Sequence, residues 1–564
     1  MDTYEFDAIV IGSGISGGWA AKELCEKGMK VLMLERGRMV EHRKDYITEG
    51  KGPWQLPYRG NLPPAEVERD HIMSKWGGAN QTASTHFFNN DRLNPIDFEN
   101  SKPFRWVRPA QVGGKSLIWS RVALRWGPND FEANKRDGHG SPWPITYQDI
   151  APWYSYVEKY AGIAGARDGL PQLPDGEFQK PHPMNVAEIW VKDRLEKAMP
   201  DRKLISTRTA NMTEDKPEQG RARCQDRNMC ARGCSFGAYF STQAVTLPAA
   251  RKTNNLTLLS DKVVTNLEYD PKTRRVTGVR TVDANTQEAK VYRSRIVFLC
   301  ASAMASTQIL LNSKLPGSER SFADASGTLG HYIMDHVFRT YIWGTVPDKE
   351  LEPYIPYGRR PNGVYIPRFR NLNGHQDPDA DFLRGYAMQG AAGRSPASPS
   401  GFGKAMKEGM RAYGPWNIRF TAFAECLPYK DNTLSLNPNK LDRFGVPLAV
   451  FNVTFRDNEM KMMRDASLQG EAMMKAAGLV DVGSANEEHV PGDAIHEMGG
   501  ACMGADPRAS VVNKWSQAHD AANLFITDGS QMASTNCVNP SMTFMALTAR
   551  AADHAIKLVK AGTI

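Results

Sequence analysis

The sequence predicts an α/β fold that opens with a parallel sheet, and two observations carry that expectation. The first stretch, YEFDAIVIGSGISGGWAAKELCEKGMKVLMLERG, reads as strand, tight turn, helix and strand. At 564 residues the chain also exceeds the size at which one hydrophobic core stops growing. A second domain, or one large composite domain, is therefore expected beside that sheet.

The elements follow in order. Ala8–Ile11 is a short apolar run of the kind that forms a parallel strand buried on both faces. Gly12-Ser13-Gly14-Ile15-Ser16-Gly17 follows at once, then a helical stretch to about Lys27 and a second strand over Lys30–Leu34. Gly12 permits the sharp turn, Gly14 lets the backbone approach a pyrophosphate, and Gly17 lets helix and strand pack closely. A diphosphate would sit at the helix N-terminus, against unpaired N–H groups and the positive end of the dipole. Glu35 and Arg36 close the second strand, where an acid binds ribose hydroxyls. A GxGxxG alone also occurs in ordinary glycine-rich turns. With strand, helix and acid all in place it reads as a dinucleotide site, and it does not separate NAD from FAD.

Composition excludes several classes. The 70 Lys+Arg against 62 Asp+Glu leave a net charge of +8, a weak field over a surface this large, with no basic run longer than three residues. Nucleic acid is not an expected partner. No stretch approaches the roughly 20 apolar residues of a membrane helix, and the acidic N-terminus with its short apolar run is no secretory signal. Taken alone, the chain is expected in the cytoplasm, or outside it with a partner that carries the signal. Eight cysteines make no disulfide framework.

Four segments extend the reading. They are the fingerprint above; QVGGKSLIWSRVALR (111–125); FLCASAMASTQILLNS (298–313) with LGHYIMDHV (329–337); and the C-terminal pair HEMGGACMG (496–504) and NLFITDGSQMASTNCVNPSMTFMALTARAADHAI (523–556). Together they resemble the glucose–methanol–choline (GMC) oxidoreductase family, which binds FAD, over most of the chain. The resemblance implies a GMC fold: a discontinuous Rossmann-type FAD-binding domain with an inserted α+β substrate domain built on an antiparallel sheet. It assigns 1–45, 100–165, 223–335 and 492–564 to the FAD-binding domain, and 46–99, 166–222 and 336–491 to the substrate domain and lid. Within the lid, KWGGANQTASTHFFNND (75–91) would lie over the substrate entrance, and GRSPASPSGFGK (393–404) reads as a loop of the insert. Cofactor contacts are expected from Gly12, Gly14, Ile15, Ser16, Gly17, Glu35, Arg36, Gly113, Gly114, Ser116, Ile118, Trp119, Val264, Ala301, Asp528, Gly529, Asn539, Pro540 and Ser541. Some relatives carry, at the position of Ile118, a histidine bonded to the flavin. Isoleucine cannot form that bond, so non-covalent FAD is expected.

Oxidising an alcohol with a flavin needs a base for the hydroxyl proton and a C–H bond aimed at flavin N5. Histidine suits the first task, since its ordinary pKa lies near neutral pH. His496 matches the family's catalytic histidine and is the candidate base. Asn539 stands where the family has His or Asn. It cannot be a base, but its amide can hold the alcohol in line, and it is also placed to cap a helix beginning near Ser541. Glu425 resembles a family glutamate behind the pair and is expected to orient an imidazole or to form a salt bridge at a strand end.

Cys224, Cys230 and Cys234 crowd eleven positions of a cysteine-poor chain. Structural zinc wants four ligands from paired knuckles, and a disulfide would leave one thiol over. Iron–sulfur clusters use thiolates at short spacings, and three suit a 3Fe–4S cluster or a 4Fe–4S cluster with an open corner. Three buried or reactive thiols remain the plain alternative. The flanking ARGCSFGAYFS resembles the bacterial FAD-dependent sugar dehydrogenases of the family, whose catalytic subunit carries a three-cysteine 3Fe–4S cluster. That likeness implies a dehydrogenase that passes electrons through the cluster to a cytochrome c-type acceptor, with Arg221, Arg223, Arg227 and Arg232 steering an acidic partner or offsetting cluster charge. It also implies a small partner subunit with an export signal and hence a periplasmic enzyme. The overall pattern is most similar to glycoside 3-dehydrogenases, which turn a ring hydroxyl of a glucoside into a 3-keto sugar. Glucose 1-dehydrogenase, gluconate or polyol dehydrogenases and a hydrogen-peroxide-forming sugar oxidase are the alternatives.

Overall fold

Short runs that are apolar at most positions suit the strands of a parallel sheet, and five of them build the first sheet. The computed structural model of the chain describes residues 4–69, 81–99, 102–355, 361–395 and 401–564. Strands Phe6–Ile11, Val31–Leu34, Leu256–Leu259, Ser294–Leu299 and Leu524–Ile526 pair in parallel, with Phe6–Ile11 at the centre of the sheet. Val31–Leu34 and Leu524–Ile526 are buried throughout. The helices Ile15–Glu26 and Ser541–Lys560 lie on one face and share a core with the strands through Ala20, Leu24, Val31, Phe298, Ala552 and Ile556. The fingerprint elements fall within a residue or two of their predicted bounds, and the C-terminal helix starts at Ser541 as predicted.

The second sheet is antiparallel and six-stranded, in the order Val480–Asn486, Val337–Thr345, Asn417–Ala424, Tyr386–Gly393, Val364–Ile366, Ile205–Ser206. Here burial alternates, as a half-covered sheet requires. Ile418, Phe420, Ala422 and Ala424 are buried, while Asn417 and Arg419 are exposed. The buried face packs on the helix Asp457–Ala476 through Met462, Met463, Ala466, Met473 and Met474. The opposite face turns Gln389 and Phe423 toward the parallel sheet. Together the two sheets give the parallel half and the antiparallel insert that the sequence predicts.

One feature differs from the simple insert picture. The hairpin Thr433–Leu441/Pro447–Asn452 does not join the six-stranded sheet; it pairs with Asp97–Phe98 and packs on the helix Ala303–Leu311 through Leu434, Ala449 and Phe451. Residues 166–222 contribute the helix Val186–Ala198, capped by the Asn185 side chain on the Glu188 N–H, which packs on the antiparallel sheet through Ala187, Val191 and Leu195. Residues 70–80 and 396–400 lie outside the described residues, and with them parts of the predicted lid and of the Pro/Gly-rich loop. Among the described residues no helix is long and apolar enough to cross a membrane.

Candidate active site

A cleft of about 1850 Å³, open to solvent at one side, runs from the fingerprint turn to the C-terminal helix. The fingerprint forms its floor as the glycine geometry demands. Gly12 has φ +93°, and a Cβ there would stand 2.5 Å from the Cys300 carbonyl oxygen; one on Gly17 would stand 1.9 Å from the Gly12 oxygen. A Cβ on Gly14 would meet no protein atom within 4 Å. It would instead fill the cleft at the start of a helix that has no side-chain cap and no acid in its first turn. Glu35 closes the turn by accepting from the Ser13 N–H at 3.0 Å, the Ser13 hydroxyl at 2.5 Å and the Gly37 N–H at 2.9 Å. Burial raises its pKa, against the pull of those bonds.

Other segments wrap the same space. Gly113 N–H donates to Ser13 Oγ at 2.8 Å, bringing the Gly113–Gly114 turn onto the fingerprint. The helix Ser541–Lys560 points its uncapped N-terminus into the far end through Asn539, Pro540 and Ser541. Gly12, Gly14, Ile15, Ser16, Glu35, Arg36, Gly114, Ile118, Trp119, Val264, Ala301, Asp528, Gly529, Asn539, Pro540 and Ser541 all line the cleft, as does His496. Gly17, Gly113 and Ser116 do not: they stand behind the wall and shape it. Sequence reasoning missed Arg108, Arg121, Lys262, Asp442 and Val446 on the wall; the last two come from the hairpin loop that packs on the parallel half.

The wall fits FAD. Asn89 Nδ2, Trp106 Nε1, Arg108 Nε and Arg121 Nε are buried donors on it with no partner among the described residues. Buried donors of this kind call for a polar ligand. Two helix N-termini face the same cleft, one suited to a diphosphate and one to electron density on a ring.

At the far end stand His496 and Asn539. Asn539 Nδ2 lies 3.1 Å from His496 Nε2, and Asn539 Oδ1 accepts from Gln389 Nε2 at 2.6 Å. Asn539 therefore does not cap the helix, whose N-cap is Pro540 with no side-chain bond. Its amide is committed to the imidazole and to the antiparallel sheet. On the other side, His496 Nδ1 lies 2.8 Å from His336 Nδ1. The main chain of His496 is held by Asp335, whose carboxylate accepts the N–H groups of Gly492, Ala494 and His496 at 2.8, 3.1 and 3.0 Å. Burial and the neighbouring Glu497 push Asp335 up to about 8. Burial first, then His336 and Lys115, holds the pKa of His496 well below its ordinary value, so the ring is uncharged at neutral pH and can accept a proton.

Glu425 occupies a different place. Its carboxylate is 1% exposed, accepts from Arg368 Nη1 at 2.6 Å and lies 4.0 Å from Arg384 Nη1. It lies off the cleft wall, and no hydrogen bond joins it to His496 or Asn539. Of the two expectations, the buried salt bridge is the one the structure contains. The groups that do reach the pair are His336 and Gln389. His336 falls within LGHYIMDHV; Gln389 carries no sequence signal beyond the alternation that turns it away from buried Met388.

The three clustered cysteines line one small recess with Asn211, Arg227, Met229 and Tyr239. Among the described residues no three side chains converge closely enough to hold a single metal ion. A lone ion needs its thiolates about 2.3 Å from one centre, whereas a cluster binds each to a different iron and spreads them wider. Three thiols around one recess are the donor set that a multi-iron cluster would use, one thiolate per iron. Burial pushes Cys224 up to about 12, which argues against a reactive thiolate there. The arginine expectation needs correction in part: Arg221 is buried and donates to the carbonyls of Gly237 and Ala161, so it cannot steer a partner. Arg227 pairs with Glu49.

Comparisons with known proteins place this geometry. Two models described as GMC oxidoreductase match residues 6–338 and 428–548. The fructose dehydrogenase large subunit of Gluconobacter japonicus is 26% identical, covering 100% of this chain and 99% of its own. The 2-methyl-1,2-propanediol dehydrogenase of Mycolicibacterium austroafricanum is also 26% identical, covering 97% and 94%. The 6'''-hydroxyparomomycin C oxidase of Streptomyces lividus is 25% identical, covering 96% and 89%. The crystal structure of pyridoxine 4-oxidase from Mesorbium loti has the same fold, with a TM-score of 0.61 at 14% identity, over 98% of this chain and 99% of that one. With both models matched in sequence order, and with a fingerprint cleft that ends on His496 and Asn539, the chain belongs to the GMC oxidoreductase family.

Proposed function

We propose that the protein is an FAD-dependent dehydrogenase that oxidises a ring hydroxyl of a sugar or glycoside, with C3 of a glucoside as the best assignment. The observation that carries the reading is the His496–Asn539 pair, 3.1 Å apart at the end of the cleft that fits FAD. The names of the fructose and diol dehydrogenases favour a polyhydroxylated alcohol, as does that of a gluconate 2-dehydrogenase flavoprotein of Pantoea cypripedii, 24% identical.

Oxidation of a carbinol removes a hydroxyl proton and a hydride. Bound FAD would supply the hydride acceptor, and Cys224, Cys230 and Cys234 would hold a 3Fe–4S cluster able to supply one-electron exchange with an external acceptor such as a cytochrome c. The residues supply the rest. His496 Nε2, uncharged because its ring is buried, takes the hydroxyl proton. On binding, the substrate hydroxyl replaces the Asn539 N–H at His496 Nε2, and Asn539 Nδ2 donates instead to the substrate oxygen, so the reacting groups are oriented before the proton moves. Gln389 fixes the amide, and Phe423 packs against the His496 ring with centroids 5.9 Å apart. The name of the fructose enzyme's large subunit favours a partner chain here too. We place the protein in the periplasm, delivered by a small subunit that carries the export signal.

A second reading, a peroxide-forming oxidase, is favoured by the aminoglycoside oxidase relative. The shared cavity of Cys224, Cys230 and Cys234 opposes it, because an oxidase passes electrons directly to oxygen and has no use for a cluster. Anaerobic titration of the flavin absorbance with a panel of sugars and glycosides tests the reading. A glucoside should bleach the flavin and yield a 3-keto product. Bleaching only by non-sugar alcohols would overturn the sugar assignment, and iron-free protein with rapid reoxidation by oxygen would favour the oxidase.

A further inference from the structure

We propose that His336 is a positioning residue that fixes the tautomer of His496, placing the ring proton on Nδ1 and leaving Nε2 unprotonated. The inference rests on the assignment of His496 as the base and deepens it.

The chain of contacts starts outside the cleft. Gln389 Nε2 donates to Asn539 Oδ1 at 2.6 Å, so Asn539 turns its Nδ2 toward His496. An amide nitrogen donates and does not accept. His496 Nε2, 3.1 Å away, is therefore the acceptor and carries no proton. In an uncharged ring the single proton then sits on Nδ1, and Nδ1 must donate. Its partner at 2.8 Å is His336 Nδ1, which accepts. His336 in turn carries its own proton on Nε2, which leans toward the Asn536 backbone without a full hydrogen bond. Burial keeps this second ring uncharged as well, holding it down to about 4.

Placement supports the role. His336 is 1% exposed, lies off the cleft wall and immediately precedes the strand Val337–Thr345. The adjacent Asp335 holds the His496 main chain, so one dipeptide anchors both backbone and ring of the base. The two rings meet edge to face, with centroids 4.9 Å apart and planes at 83°, which aims one nitrogen lone pair at the other ring's N–H. When the substrate hydroxyl gives its proton to Nε2, the imidazolium keeps its Nδ1–H on His336. The proton gained is the one the hydroxyl lost, and His336 changes neither protonation state nor contact.

The test uses the FAD-loaded protein with ¹⁵N-labelled histidine, the His496 signals being assigned by their loss in His496→Gln. The expected result is a protonated Nδ1 and an unprotonated Nε2 in the wild type. His336→Leu should shift the proton toward Nε2. It should also slow flavin reduction by substrate on the order of 10²-fold, short of the roughly 10⁴-fold cost of a wrong tautomer in a serine protease triad, with KM changed less than about threefold. His336→Asn, whose Oδ1 stands near the lost Nδ1, should restore both. A wild-type proton on Nε2 overturns the proposal whatever the variants do. So does an unchanged tautomer in His336→Leu, or equal loss of rate in the Leu and Asn variants. If no alcohol reduces the wild-type flavin, the proposed function fails while the tautomer measurement still decides the role of His336.

Discussion

Replacing Gly14 with alanine should separate cofactor binding from folding. The backbone there, φ −68° and ψ −161°, is open to any L-residue, and the new methyl would meet no protein atom within 4 Å. Folding of the FAD-free protein should therefore change by no more than about 0.5 kcal/mol. The same methyl projects into the cleft at the helix N-terminus, where a diphosphate must approach. Overpacking of that kind costs about 1–3 kcal/mol, which at 1.4 kcal/mol per decade raises the Kd for FAD about 5- to 150-fold. Gly12→Ala is the contrast: its Cβ would stand 2.5 Å from the Cys300 oxygen with φ at +93°, so it should destabilise the fold itself. Titration of FAD-free protein by quenching of flavin fluorescence gives the Kd, and thermal melts without FAD give the stability. An unchanged Kd for Gly14→Ala would refute the placement of the diphosphate. A melting loss as large as that of Gly12→Ala would refute the claim that the glycine serves the ligand and not the fold.

Other outcomes follow from the same geometry. His496→Ala should slow flavin reduction by substrate about 10²- to 10⁴-fold while leaving FAD content unchanged, measured by anaerobic stopped flow; near-normal bleaching would remove it as the base. Because burial, His336 and Lys115 hold the pKa of His496 well below 6.5, the active uncharged ring persists as pH falls. The acid limb of kcat/KM should therefore lie below pH 6.5, and a limb at or above it would contradict the burial argument. Cys230→Ser should lower bound iron and slow reduction of an external cytochrome while substrate still reduces the flavin; equal loss of both steps would count against a relay. Arg368→Met leaves the Glu425 carboxylate buried beside only the more distant Arg384, and should lower stability by about 3–5 kcal/mol in denaturant melts.

What local chemistry could specify was legible in the sequence. The fingerprint was readable because each residue answers to its neighbours: apolar runs make strands, Gly12 makes the turn, and Glu35 closes it within the same βαβ unit. His496 and Asn539 were found through the likeness of their segments to the GMC family, not through any periodicity. The role of Glu425 was open, because a strand glutamate looks the same whether its partner is an imidazole or Arg368. Arg221 read as surface charge although it is buried on two backbone carbonyls.

The sequence by itself determined the fingerprint turn, since the bonds of Glu35 to Ser13 and Gly37 lie within one βαβ unit. Only the tertiary structure decided the catalytic half. His336 and His496 are 160 positions apart and Gln389 and Asn539 are 150 apart. Those hydrogen bonds exist because the antiparallel sheet folds its alternate face onto the end of the parallel one. Alternation along a strand says that Gln389 opposes Met388; it does not say what Gln389 will meet. That depends on how two sheets pack, a property of the whole chain's buried surface and not of any segment of it.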